Sequence, residues 1–181
     1  MVALYKVDIK SGKMDLCIKQ QADFSEKDPC INQCILNNGV LVTGGDDKKV
    51  RIFAVKSREY NEFAKSIEIE GPTAPITGVD INISNTKIVA SSKDHHAYIW
   101  DLKTKALLDK LSFKYKPDLR NNMVMRDCLF HSDGSVYTLA VEPRQPTFVV
   151  KWTPNDKDKY GLKPVAACAN SKNASTGMRF N

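Results

Sequence analysis

Residues 41–53 read Leu-Val-Thr-Gly-Gly-Asp-Asp-Lys-Lys-Val-Arg-Ile-Phe. Two alternating apolar runs flank a short polar turn at residues 44–47. Glycine adopts positive φ without steric cost and Asp hydrogen-bonds to nearby backbone, so this pattern predicts a β-hairpin. A similar pattern returns at residues 89–100, where Trp100 lies 47 positions after Phe53 and is followed by Asp101. The stretch is therefore one copy of a repeated unit.

A second short segment recurs with nearly the same period. Its copies begin at residues 31, 76, 125 and 175, which are 45, 49 and 50 positions apart. A Trp-Asp pair that closes a strand, in a unit of roughly 40–45 residues, is typical of WD repeats, which form four-stranded propeller blades. Short strands at even spacing indicate the same radial arrangement. The sequence therefore predicts an all-β WD-repeat β-propeller.

We predict that this propeller is incomplete. It divides into a partial blade at 1–20, full blades at 31–69, 76–113 and 125–168, and the first strand of a further blade at 174–181. The pairs Asn38-Gly39 and Asp133-Gly134 supply hairpin turns within these units. Propellers close with about 4–8 blades, because closure removes exposed sheet edges. We therefore expect the sequence to be part of a longer propeller or a shortened form of one.

Repeat equivalence also predicts which side chains are buried. The third strand of each full blade ends on an aromatic residue that should pack between blades: Phe53, Trp100 and Trp152. The recurring segment places four apolar side chains at one equivalent position: Cys34, Val79, Cys128 and Met178. Cys34 is therefore predicted to be a core residue. Cys30 and Cys34 are too few for a zinc site without further partners.

The turns between second and third strands carry acidic residues. Asp46, Asp47 and Asp94 occupy the place where WD repeats use Asp to order the hairpin, which favours a structural role over an acidic site. The run Asp94-His95-His96 could supply metal ligands, but adjacent strand residues point to opposite faces, so a polar turn is favoured. No nucleophile–base pair, phosphate loop or dinucleotide motif is present. We predict no catalytic residue and no metal site.

Composition narrows the class of partner. The chain of 181 residues is 42% hydrophobic and 27% charged, as in ordinary soluble globular proteins. Its net charge of +6 is interspersed with acids and forms no long basic run, which argues against nucleic acid or lipid as a partner. Five scattered cysteines favour free thiols in a reducing compartment. No apolar run approaches the roughly 18–20 residues of a transmembrane helix.

The sequence resembles the prolactin-regulatory-element-binding protein family over five segments: residues 22–25, 41–53, 87–100, 126–130 and 147–152. Members of this family are endoplasmic-reticulum exchange factors for the small Sar-type GTPase that starts COPII coat assembly and vesicle formation. The resemblance implies that this chain is part of such a guanine-nucleotide exchange factor, with the Sar-type GTPase as its partner. It also implies a location on the cytosolic face of the endoplasmic-reticulum membrane for the intact protein.

The sequence departs from that family in two respects. Family members carry a Gly-rich loop that binds a monovalent cation and contains an essential Asn, and they end in a single transmembrane helix. Neither is found in residues 1–181, so no catalytic residue and no cofactor is carried over. We expect these residues alone to be soluble and cytosolic and unable to exchange nucleotide. Residues 1–21 match either the end of the first blade or the blade preceding Ile31.

Two other functions remain as alternatives. A non-catalytic WD-repeat scaffold would use the loops at one end of the blades to hold other proteins. A role in transcription is implied by the family's name, but the sequence lacks the basic stripe that nucleic-acid binding requires.

Overall fold

A computed structural model of the chain describes residues 2–7, 10–11, 13–20, 30–54, 66–114, 122–143, 145–155 and 159–168. Within these ranges the chain forms antiparallel sheets and no helix. A two-stranded sheet pairs β1 (Val2–Val7) with β2 (Met14–Gln20). The predicted strand at 174–181 lies outside the described residues.

Three four-stranded sheets follow in chain order. Sheet I contains β3 (Ile31–Asn37), β4 (Val40–Gly45), β5 (Val50–Ala54) and β6 (Ile67–Ile69). Sheet II contains β7 (Ile76–Ile81), β8 (Lys87–Ser92), β9 (Ala97–Asp101) and β10 (Leu107–Leu111). Sheet III contains β11 (Val124–Phe130), β12 (Val136–Val141), β13 (Thr147–Pro154) and β14 (Tyr160–Cys168). Each strand pairs with its neighbour in sequence, as in a propeller blade. The predicted fold class, an incomplete all-β propeller, is confirmed.

The hairpins of sheet I form for two different reasons. Between β3 and β4, Asn38 and Gly39 both have positive φ, 43° and 77°, as a two-residue turn of this kind requires. Between β4 and β5 the positive φ belongs to Lys48, at 68°. Gly44 and Gly45 lie inside β4, with no positive φ. The predicted hairpin is therefore correct, but the turn does not depend on the φ of these two glycines.

Gly44 is required by packing. A Cβ at this position would lie 2.4 Å from Cγ2 of Ile76 and 2.9 Å from Cγ1 of Val79, both on the first strand of sheet II. Carbon atoms in van der Waals contact are about 3.5–4.0 Å apart. The missing side chain therefore allows sheet I to approach sheet II closely.

Sheet II lies between the other two sheets. Ile88 and Ala90 of β8 belong to a core shared with sheet I, whereas Val89 belongs to a core shared with sheet III. Because successive strand residues point to opposite faces, one strand contributes to both cores. The same alternation continues in β9, where Trp100 packs towards sheet I and Ile99 packs towards sheet III.

The three predicted aromatic residues are buried. Trp100 is 1% exposed, and its ring stacks on Tyr98 with centroids 5.6 Å apart. Trp152 lies in the core between sheets II and III, and its indole Nε1 donates a hydrogen bond of 2.8 Å to Oγ1 of Thr138. Phe53, on the third strand of sheet I, is also 1% exposed.

The prediction that Cys34 is a core residue is wrong. Cys34, Val79 and Cys128 do occupy the same register in their sheets. Val79 and Cys128 are buried, but Cys34 is exposed. In sheet II, the face that carries Val79 packs against sheet I. In sheet III, the face that carries Cys128 packs against sheet II. Among the described residues, no sheet packs on β3 in the same way. Met178, the fourth residue of the set, lies outside the described residues.

We expect Trp100→Ala to lower the free energy of unfolding by about 3–5 kcal/mol, because it leaves a large cavity between sheets I and II. Urea denaturation followed by tryptophan fluorescence from Trp152 would measure the loss. Ile83→Ala serves as control, since Ile83 is exposed and its removal should change stability by less than about 0.5 kcal/mol. Equal effects of the two substitutions would contradict the packing described.

We expect Gly44→Ala to destabilise the protein by about 1–3 kcal/mol, because the added methyl group overpacks the contact with Ile76. A double-mutant cycle with Ile76→Ala tests the cause, since removing Cγ2 of Ile76 makes room for the methyl group. The double variant should be more stable than the sum of the two single effects predicts. Simple additivity would show that the two residues do not conflict.

Candidate functional site

The first strands of the three sheets share an irregularity near their starts. The pairing of β3 with β4 skips Asn32, that of β7 with β8 skips Thr77, and that of β11 with β12 skips Arg126. One extra residue on one strand is a β-bulge, which changes the direction of a side chain and is frequent beside functional sites. The three bulge residues and Lys93 line one pocket of about 330 Å³. We call it the bulge pocket.

Two of the bulge residues connect neighbouring sheets. The Asn32 amide donates to the carbonyl oxygen of Ile76 at 2.8 Å, and the Thr77 hydroxyl donates to that of Met125 at 2.7 Å. Each bond runs from the first strand of one sheet to the first strand of the next. Such a bond contributes about 0.5–1.5 kcal/mol to stability, and it gives a backbone carbonyl of the neighbouring first strand a hydrogen-bond partner. The bonds therefore fix the walls of the bulge pocket.

A second pair of side-chain contacts joins the same strands further along. Oε1 of Gln33 accepts from the backbone N–H of Val79 at 2.8 Å, and Oδ2 of Asp80 accepts from that of Phe130 at 2.7 Å. Burial raises the pKa of the Asp80 carboxyl; the hydrogen bond from Phe130 opposes the rise, and the charge of Asp127 adds to it. Asp80 is thus an acid held in place for a structural bond at some electrostatic cost.

Polar side chains from all three sheets meet around Gly78. A Cβ at Gly78 would lie 2.7 Å from Oδ1 of Asp127, 2.7 Å from Oγ of Ser91 and 3.0 Å from Oε1 of Gln33. These atoms belong to sheets III, II and I respectively. Gly78 therefore has no room for a side chain, and its absence lets the first strands converge below the bulge pocket.

The bulge pocket carries two cations that are not neutralised. Lys93 is exposed in the turn between β8 and β9, and Arg126 is half-buried. Within the described part of the chain, neither side chain makes an ion pair or a hydrogen bond. Other cations do have acidic partners, such as Lys49 with Glu68 at 2.6 Å. The pocket therefore presents positive charge to solvent.

Asp46 and Asp47 lie in the turn between β4 and β5 but have different surroundings. Asp46 is exposed, and its Oδ1 accepts a 2.9 Å hydrogen bond from Asn32, so it lies beside the bulge pocket. Oδ2 of Asp47 contacts a guanidinium nitrogen of Arg51 at 2.6 Å, and both side chains are buried. Arg51 also pairs with Glu68. Asp47 is therefore engaged within sheet I, while Asp46 keeps part of its carboxylate in solvent.

Asp94 takes the place of Asp47 in the turn between β8 and β9. Its Oδ2 accepts hydrogen bonds from the backbone N–H of Thr73 at 2.7 Å and from the hydroxyl of Tyr98 at 2.9 Å. Burial opposes ionisation of Asp94, but these hydrogen bonds outweigh it and lower the pKa of the carboxyl. Burial and the bond to Asp94 in turn raise the pKa of Tyr98 above its usual range.

The two histidines after Asp94 belong to the same turn. His95 has a positive φ of 69°, and Nδ1 of His96 lies 2.7 Å from the backbone oxygen of Asp94. No group of three or more His, Cys, Asp or Glu side chains within the described ranges is placed to hold a metal ion. The expectation that residues 1–181 bind no cofactor stays a prediction.

Sequence reasoning did not find the bulge pocket. A signal for it was present, because the recurring segments place Asn32, Thr77 and Arg126 at their second position, always polar. The predicted aromatic residues lie elsewhere, with Trp100 and Trp152 in the cores between sheets. Of the predicted turn acids, the structure brings only Asp46 next to a pocket-lining residue by a hydrogen bond.

Comparison with known proteins identifies the repeat. A family model described as WD domain, G-beta repeat, matches residues 64–101. The match includes β6 of sheet I and then β7, β8 and β9 of sheet II, so one sequence repeat joins two neighbouring sheets. The chain therefore contains a WD repeat, and WD-repeat domains are in general non-catalytic modules for protein interaction. No match to a curated protein was found. None of the described residues forms a helix long and apolar enough to span a membrane.

We expect Asp94→Asn to lower the free energy of unfolding at pH 7 by about 1–3 kcal/mol, because the amide cannot accept from every donor around it. The pKa of Asp94 is lower in the folded than in the unfolded chain. Its stabilisation is therefore present above the unfolded pKa, about 4, and is lost as pH falls through the folded pKa. Urea denaturation at pH 7, 5 and 3 should show the difference between the two proteins shrinking at pH 3.

Tyr98→Phe is the matched control for this experiment. It removes one hydrogen bond to Asp94 but keeps the ring that stacks on Trp100. The loss should be smaller than that of Asp94→Asn. A difference between wild type and Asp94→Asn that is the same at all three pH values would contradict the role assigned to the Asp94 charge.

Proposed function

We propose that this chain is a protein-interaction module that binds its partner at the bulge pocket. The observation that carries the proposal is a pocket framed by three hydrogen-bonded first strands, whose cations Lys93 and Arg126 have no partner in the part of the chain that the structure describes. The frame is held by contacts between sheets, so little ordering is needed when a partner binds. A preorganised, charged pocket on a repeat scaffold suits non-covalent recognition.

The lining groups favour binding over bond cleavage. Asn32 is an amide already bonded to Ile76 and Asp46, and the hydroxyl of Thr77 is bonded to Met125. The other described residues that line the pocket are a lysine and an arginine. Such a set provides hydrogen-bond donors and positive charge for a ligand. Contact with another protein is thus the function that these side chains support best.

We further propose that the partner is a Sar-type small GTPase. The intact protein would then be the exchange factor that starts COPII vesicle formation on the cytosolic face of the endoplasmic reticulum. The support is the sequence resemblance over residues 41–53 and 87–100, which include the turns that lie between second and third strands beside the bulge pocket. An exchange factor speeds nucleotide release by binding the nucleotide-free GTPase more tightly than the nucleotide-bound form.

Binding of the 181-residue chain to a purified Sar-type GTPase tests both levels of the proposal. We expect binding that is at least about tenfold tighter for the nucleotide-free GTPase than for the GDP-bound form, which corresponds to about 1.4 kcal/mol of differential affinity. This preference is one of equilibrium affinity; the 181-residue chain is still expected not to accelerate nucleotide release, because the Gly-rich loop of the family is not found in residues 1–181. Biolayer interferometry with immobilised chain would measure both affinities. A GTPase of the Ras type in the same two states serves as the specificity control.

The possible outcomes separate the two levels. Equal affinity for the two nucleotide states would overturn the exchange-factor proposal but keep the interaction module. Binding to both kinds of GTPase would overturn the assignment of the partner. If the chain does not bind the Sar-type GTPase at all, the proposal that this GTPase is the partner is refuted. The peptide-binding experiment described below then tests whether the chain is a protein-interaction module.

A further inference from the structure

We propose that the bulge pocket binds an acidic segment of a partner protein, with a carboxylate held between Lys93 and Arg126. This inference rests on the proposed function, since it specifies what the interaction module recognises. The two cations line the same pocket and, within the described residues, have no acidic partner. Unpaired charges of the same sign around one pocket repel each other, and an anionic ligand relieves that repulsion.

The position of Arg126 distinguishes it from its equivalents. Asn32 and Thr77 use the same bulge position to bond the carbonyl of the next first strand. Arg126 makes no such bond with any described residue, and the predicted first strand of a further blade, 174–181, lies outside the described residues. A guanidinium binds a carboxylate through two parallel N–H donors, and a lysine adds a mobile point charge. At the bulge position, sheet III therefore carries a cation where sheets I and II carry neutral polar side chains.

The size of the pocket limits its ligand. A volume of about 330 Å³ lies at the lower end of the roughly 300–1,000 Å³ found for small-molecule sites. This space accommodates one or two side chains of an extended peptide, with the rest of the segment on the surface. Asn32 and Thr77 add polar atoms to the lining, which suit a peptide backbone.

Charge around the pocket favours a protein over a nucleic acid. The exposed carboxylate of Asp46 is bonded to the pocket residue Asn32, so a negative group stands at one side of the pocket. A regular row of phosphates passing through the pocket would meet this carboxylate. Nucleic-acid affinity also depends on neutralising many phosphates, and among the described residues that line the pocket two are cations. An isolated carboxylate on a peptide avoids both problems.

Fluorescence anisotropy with the complete 181-residue chain tests the proposal. The probes are three labelled ten-residue peptides in which Gly and Ser alternate with Glu, Gln or Lys, and a labelled ten-nucleotide single strand. We expect the Glu peptide to bind at least tenfold more tightly than the Gln peptide, and its affinity to fall as salt is raised. The Lys peptide and the oligonucleotide should bind more weakly than the Glu peptide.

Matched variants locate the binding site. Lys93→Gln and Arg126→Gln should each weaken binding of the Glu peptide about fivefold, the upper range for exposed charge pairs. Arg126→Lys should weaken it less than Arg126→Gln, because it keeps the charge but loses the two parallel N–H donors. Lys103→Gln is the control, since Lys103 is also an exposed lysine but follows β9 at the end opposite to Lys93. It should leave the affinity unchanged. Thermal unfolding of every variant would show that each remains folded.

Several results would overturn the proposal. These are equal binding of the Glu and Gln peptides, a loss of affinity in Lys103→Gln as large as in Lys93→Gln, and tighter binding of the oligonucleotide than of the Glu peptide. The double variant Lys93→Gln/Arg126→Gln, tested with the GTPase, separates this inference from the proposed function. Undiminished GTPase binding by that variant would refute the acidic-segment proposal and the use of these two cations for the GTPase, and would leave only the statement that the chain is a protein-interaction module. If the wild-type chain binds neither the peptides nor the GTPase, the interaction module itself fails.

Discussion

The close approach of the first strands is the constraint on which the rest of the structure depends. Glycine at positions 44 and 78 leaves no Cβ where neighbouring sheets converge, and any side chain there would collide with Ile76 or Asp127. Backbone groups brought so near to the neighbouring sheet need partners, because an unpaired buried carbonyl or N–H costs about as much as a lost hydrogen bond. Asn32 supplies one such partner by bonding to Ile76. The close approach of the sheets therefore requires both the absence of a Cβ and hydrogen bonds between the sheets.

The β-bulges provide hydrogen bonds between the sheets and also form the bulge pocket. A regular strand alternates its side chains between the two neighbouring sheets, so none would point along the strand towards its end. The extra residue at each bulge breaks this alternation, and its side chain lines the bulge pocket. In sheets I and II this side chain ties two sheets together. In sheet III the residue at the bulge is Arg126, which lines the bulge pocket.

The sequence was informative where structure is local or periodic. Asn38-Gly39 predicts its hairpin because both residues need positive φ, and the recurring segments give the correct register of the sheets. It misled for Cys34, because equivalence between repeats does not say whether a neighbouring sheet covers that face. It gave the wrong reason for Gly44, whose role is a contact with another sheet. The pocket at Arg126 was missed because a polar residue at the second position of each recurring segment does not by itself show that the strand pairing skips that residue.

The charge beside the bulge pocket depends on which contacts the acidic side chains of the neighbouring turns make. Asp47 and Asp94 occupy equivalent turns, and each is bound by a side chain four residues on, Arg51 in one case and Tyr98 in the other. Both carboxylates therefore hold their turns in place, and their burial reduces the negative charge that these turns present to solvent. Lys93, which directly precedes Asp94, has no such internal partner among the described residues. The turn between β8 and β9 therefore presents the ammonium group of Lys93 to solvent, while the carboxylate of Asp94 is partly buried and hydrogen-bonded within the fold.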